Sequence, residues 1–146
     1  MKMLIARALL LSLLFVTRSG AGGEMYPITQ SDRAFFEQVR KAILADDVKW
    51  LARALFYPFD VHLKKRKLHL DDSRAFEKNA SLILDRHLKS VVQKQSADSL
   101  WKNWQGVMVG QGELWFSQGG GKTGKQGGRT WVYHIIAINL NTEARK

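Results

Sequence analysis

The sequence predicts an α+β fold in which an antiparallel sheet packs against three helices, in the order α-α-β-β-α-β-β. Three observations carry this prediction. Apolar residues recur at helical spacing after residue 31, the period drops to two between Phe59 and Asp71, and the C-terminal third is rich in β-branched and aromatic residues among glycines. The 146 residues are 45% hydrophobic and 25% charged with no Cys, which excludes disordered, collagenous and disulfide-stapled chains.

Phe35, Phe36, Val39 and Ile43 form one apolar stripe, so the first helix runs from about Asp32 to Ala45, with Thr29 and Ser31 as candidate caps. Asp46-Asp47 interrupts it. Val48, Leu51 and Leu55 continue the stripe into a short second helix that ends at Tyr57-Pro58, because a residue before Pro avoids the helical region. From Phe59 to Asp71 a hairpin turning at Lys65-Arg66 pairs Leu63 with Leu68, His62 with His69 and Val61 with Leu70. That register sorts every apolar residue from every polar one, and a four-residue loop from Lys64 to Lys67 keeps it. Ser73 then caps a long helix to about Gln93, with Phe76, Ala80, Ile83, Leu84, His87, Leu88 and Val91 on its apolar stripe. Gly106 to Phe116, bent or split at its glycines, and Arg129 to Leu140 are the C-terminal strands, joined by a Gly-rich loop from Ser117 to Gly128.

Lys2 and Arg7 precede an apolar stretch from Ala8 to Val16, and Ser19-Gly20-Ala21 supplies small residues for a signal peptidase, so residues 1–21 read as a secretory leader. The stretch is shorter than the roughly 20 residues needed to span a bilayer. The remaining 125 residues show neither repeat nor linker and are expected to form one domain in the bacterial periplasm or outside the cell. Loss of Lys2, Arg7 and Arg18 takes the net charge from +10 to +7. Export removes DNA and RNA as partners, so this basic charge points to a protein or an anionic envelope component. A homodimer through the sheet is a further expectation.

The run Asn103-Trp104-Gln105-Gly106-Val107-Met108-Val109-Gly110-Gln111-Gly112-Glu113-Leu114-Trp115-Phe116, the closing Ile136-Ala137-Ile138-Asn139 and the order of elements resemble secreted bacterial members of the nuclear transport factor 2-like (SnoaL-like) superfamily. The resemblance spans nearly all of residues 22–146. It implies a cone of curved sheet closed by helices, a scaffold shared by isomerases, dehydratases, ligand binders and interaction modules. No catalytic motif of the superfamily maps onto this chain.

Gly121-Lys122-Thr123 is not a phosphate loop, since Phe116 stands where the motif needs Gly and the segment joins two strands. Two cationic segments remain, Lys64-Lys65-Arg66-Lys67 and the loop with Lys122, Lys125 and Arg129, as surfaces for an anion or a partner. His62 and His69 face each other in the expected register, but the adjacent cations oppose a metal ion, and neither metal nor cofactor is expected. His87 and His134 lie on apolar stripes, His134 with Val132, Ile136 and Ile138, and are the candidate general bases, with Asp60, Asp85 or Glu113 as partners and Tyr133 as hydrogen-bond donor. Trp101, Trp104, Trp115, Trp131 and Tyr133 are suited to a pocket for a flat ligand or to stacking on glycans, with Trp115, Tyr133 and His134 as the ligand-binding candidates. The expectation is therefore a non-catalytic binding module, of an inhibitor or immunity type among others. The alternative is an isomerase or lyase using a His base in the cone.

Overall fold

A computed structural model of the chain describes residues 24–123 and 129–141, without side chains at 120–123 and 129–130. The expected leader and Lys125 lie outside the described residues. Helix α1 is Gln30–Leu44, and of the two expected caps Thr29 serves. Its hydroxyl accepts from the Asp32 N–H while the Asp32 carboxylate accepts from the Thr29 N–H, satisfying two of the donors a helix start leaves free. Asp46 ends the helix by adopting φ 53°, which a short polar side chain tolerates, and Asp47 caps α2, Val48–Ala54. Helix α2 stops a turn before Tyr57 because Leu55 turns extended and the Phe56 N–H donates to Ile135 O at 3.1 Å. Pairing with the sheet overrides the helical pattern there.

Strands β1 (Phe59–His62) and β2 (Lys67–Leu70) form the expected hairpin in a different register, with Asp60 opposite His69 and Val61 opposite Leu68. The Leu63 N–H closes the loop onto Arg66 O at 2.8 Å, which centres the turn one residue earlier than Lys65-Arg66. The displacement is two residues, so every side chain keeps its face. The expected long helix is two helices, α3 (Ser73–Ile83) and α4 (Arg86–Lys94). Asp72 rather than Ser73 caps α3, and Asp85, accepting from the Leu88 N–H at 2.8 Å, breaks the stripe and caps α4. Among the described residues the expectation of three helices is corrected to four, followed by a short 3-10 turn at Ala97–Ser99.

The last four strands are β3 (Trp101–Asn103), β4 (Gly106–Val109), β5 (Leu114–Thr123) and β6 (Arg129–Asn139), so the first C-terminal strand is split at Gly110 to Glu113. They join the hairpin in an open six-stranded sheet of order β2-β1-β6-β5-β4-β3. The sheet is mixed, not antiparallel throughout: the helices between β2 and β3 let the chain return with β6 parallel to β1, Val61 opposite Ile138. The expected loop from Ser117 is strand as far as Thr123, because β6 supplies a full pairing edge that Gly119 and Gly120 accept opposite Val132 and Trp131.

The helices lie on one sheet face. Phe36, Phe76, Phe116, Leu88, Leu114 and Ile135 are among the fully buried side chains between the layers. Phe35 meets Phe116 edge-on at 5.1 Å and Tyr133 face-on at 5.0 Å, and Arg40 ties α1 to α4 by donating to Val92 O and Gln95 O. Rings and branched side chains thus fill the space between helices and sheet. No helix among the described residues is long and apolar enough to cross a membrane.

Candidate functional site

The side chains expected to act together are parted by the sheet. In the pairing of β5 with β6 the partner steps from Ala137 opposite Trp115 to Ile135 opposite Phe116, leaving Ile136 as a bulge. An extra residue inverts the alternation of faces. Tyr133, Ile135 and Ile138 therefore point to the core, whereas His134 and Ile136 point outward, which corrects the expected grouping of His134 with Ile138.

On the core side, the Tyr133 hydroxyl donates to Asp32 Oδ1 at 2.8 Å and Lys102 Nζ donates to Asp32 Oδ2 at 2.7 Å. Asp32 is 1% exposed. Burial pushes its pKa up, but the bonds from Lys102, Thr29 and Tyr133 outweigh burial and hold it below the ordinary carboxylate value. Burial and the same Asp32 raise the pKa of Tyr133. This cluster staples α1 to β3 and β6. The T-x-x-D pattern at Thr29 is its signal in the sequence; nothing local marks Lys102, 70 residues away.

His87 meets one of its expected partners, Glu113, with Nε2 3.3 Å from Oε1 but outside hydrogen-bond geometry. Glu113 is buried, and its other carboxylate oxygen accepts from the Gln111 N–H. The pair sits where α4 meets the turn between β4 and β5. Among the described residues no group of three or more His, Asp or Glu could hold a metal ion. His62 stands opposite Lys67, and His69 Nδ1 lies 2.6 Å from Asp60 Oδ1, which replaces the expected His62–His69 pair. The hydrogen bond to Asp60 raises the His69 pKa, and His69 and Lys67 lower that of Asp60.

The outer face carries a different chemistry. Trp101, Met108, Trp115 and Ala137 occupy successive positions across β3, β4, β5 and β6 and form one outward row. Trp101 and Trp115 stand edge to face, 6.0 Å between centroids and 89° between planes. With Gln95, Ser99, Asn103, Gln105, Met108 and Gly110 they line a groove of about 470 Å³, within the roughly 300–1,000 Å³ usual for small-ligand sites. A second hollow of about 250 Å³, lined by Phe56, Ser117, Gln118, Gly119, His134 and Ile136, shares Gln105 with the groove. Phe56 meets the His134 ring edge-on at 5.5 Å, and His134 Nδ1 has no hydrogen-bond partner among the described residues. Trp104, in the turn between Asn103 and Gln105, is 77% exposed.

Compared with protein-family models, curated proteins and solved structures, the chain has no match. Its own geometry therefore carries the functional argument. Of the expected ligand-binding trio, Trp115 lines the groove, His134 the adjoining hollow, and Tyr133 the core. The cationic turn Lys64 to Lys67 sits on the edge hairpin, at the sheet end where His62 lies opposite Asn139. Thr123 and Arg129 pair at the other end of β6, so the strand ends carrying Lys122 and Arg129 meet away from that turn. Met108 and Gln95 are site residues that sequence reasoning missed, whereas Trp101 is among the aromatics it expected in a pocket. Only the cross-strand register brings Trp101 and Met108 to Trp115, and Gln95 is held at the groove by accepting from the Gly110 N–H.

Proposed function

We propose that this chain is a secreted, non-catalytic binding module that takes its ligand on the outer face of its sheet. The observation that carries the reading is the contrast between the two faces. The helical side is packed with Phe35, Phe36 and Phe116, while the outer side presents two perpendicular indoles along an open groove. The secretory pattern of residues 1–21 supports export. The order of elements and the bulge at Ile136, which bends and twists the sheet, support a nuclear transport factor 2-like scaffold.

The rival reading, an isomerase or lyase, needs a base and a donor around one substrate. Against it, Tyr133 gives its hydroxyl to Asp32, His87 sits beside Glu113, and His134 faces outward. The test is retention of components of a solubilised bacterial envelope extract by the immobilised chain. Trp101→Ala/Trp115→Ala should lose what the wild type retains while its melting temperature stays within a few degrees. Changing Lys64, Lys65, Arg66 and Lys67 to Ser should leave retention intact. A wild type that retains nothing, or a double Trp variant that retains as much as the wild type, refutes the reading.

A further inference from the structure

From the chemistry of the groove we infer that its ligand is a neutral oligosaccharide of pyranose units with equatorial hydroxyls, an inference that rests on the binding-module reading above. Such a sugar ring is amphipathic. Its two faces are patches of C–H groups, and its rim is a ring of hydroxyls that both donate and accept. Indole rings match the faces, and uncharged amide and N–H groups match the rim.

The groove offers that combination. Trp101 and Trp115, at 89° to each other, present one ring for stacking and another at its side. Both indole Nε1–H groups and the Gln105 amide nitrogen have no partner among the described residues, so three donors are free for a ligand. The other amides are engaged and therefore held in place. Gln95 accepts from the Gly110 N–H at 2.9 Å and donates to Ser99 Oγ at 3.0 Å, and Asn103 accepts from the Gln105 N–H at 2.8 Å. A rigid rim of this kind lowers the ordering cost of binding.

Charge decides against the nearest alternatives. Among the described residues no ionisable side chain lines the groove, and Lys102, between the lining residues Trp101 and Asn103, points through the sheet to Asp32. A phosphate or carboxylate ligand would find no cation there. A second copy of the secreted chain would bring another +7 against this one, onto a face whose amides it would have to desolvate. The hollow of about 250 Å³ that shares Gln105 with the groove offers room for a further sugar unit, with Ser117 and His134 in its lining.

The full chain is titrated with cellotetraose and with chitotetraose, following heat and intrinsic Trp fluorescence. At least one should bind with a Kd between micromolar and millimolar. Trp101→Ala and Trp115→Ala should each weaken binding about tenfold or more, with Trp115→Phe recovering part of the loss. Circular dichroism and melting temperature confirm that each variant is folded. Absence of heat and of fluorescence change with both sugars up to roughly 10 mM overturns the inference, as does binding that the Trp variants leave unchanged. If neither sugar binds but the double Trp variant still loses an envelope component, the saccharide fails and the binding module stands. If both experiments fail, both readings fall. A dimer by light scattering that Trp115→Ala dissociates assigns the face to a second copy and likewise overturns the saccharide.

Discussion

Replacing Asp32 tests the reasoning about the core most directly, because one carboxylate receives donors from three parts of the chain. Thr29 N–H at 2.8 Å, Lys102 Nζ at 2.7 Å and Tyr133 OH at 2.8 Å converge on it at 1% exposure. In Asp32→Ala the Tyr133 hydroxyl loses a charged acceptor, about 1.5–3 kcal/mol. The reciprocal half of the cap contributes roughly 0.5 kcal/mol. Lys102, whose side chain is 25% exposed, can reach water, so its share is kept to about 0.5 kcal/mol. The total is about 3 kcal/mol, a fall of roughly 10 °C in melting temperature for a domain of this size. Asp32→Asn keeps an acceptor for Tyr133 and should lose about half as much. The pH dependence has a definite sign. With the folded pKa of Asp32 below 3.8, its contribution is complete above 3.8 and is lost as pH falls through the folded value. Thermal unfolding by circular dichroism, from neutral pH into acid, measures both effects. An Asp32→Ala variant that melts within about 2 °C of the wild type at neutral pH, or a margin over it that persists in strong acid, refutes the account.

Three further outcomes are expected. Phe116→Ala should cost about 3–5 kcal/mol in urea unfolding, since the ring is fully buried against Phe35 and Tyr133; a cost under 1 kcal/mol would mean the space between helices and sheet is not filled as described. Gly110→Ala should destabilise by about 1–3 kcal/mol, because φ is +67° and an added Cβ would overlap the Glu113 carboxylate and Val91, and a neutral effect in thermal unfolding would contradict the turn geometry. Burial, then Asp72 and Glu77, push the Tyr57 pKa up to about 12. Its contribution is whole below pH 10.0 and lost as pH rises through about 12, so tyrosinate absorbance should show a late-titrating group that Tyr57→Phe removes.

Local chemistry determined the elements of this protein. The stripe through Phe35, Val39 and Ile43, the cap at Thr29, the interruption at Asp46-Asp47 and the alternation on either side of Lys65 are properties of neighbouring residues, legible because helix and strand periods are short. Other local patterns are ambiguous. Asp85 looks like a polar position on a continuous helix, and the glycines after Ser117 look like a loop, because a capping hydrogen bond and a pairing edge are invisible until the chain folds. The candidate site belongs almost wholly to the second category. Trp115 and the proximity of His87 to Glu113 could be suspected from composition and stripe. The alignment of Trp101, Met108 and Trp115 depends on registers between separate strands. One bulged residue, Ile136, decides that Tyr133 faces the core and His134 the outer surface, because a strand has a period of two and a single insertion inverts everything beyond it.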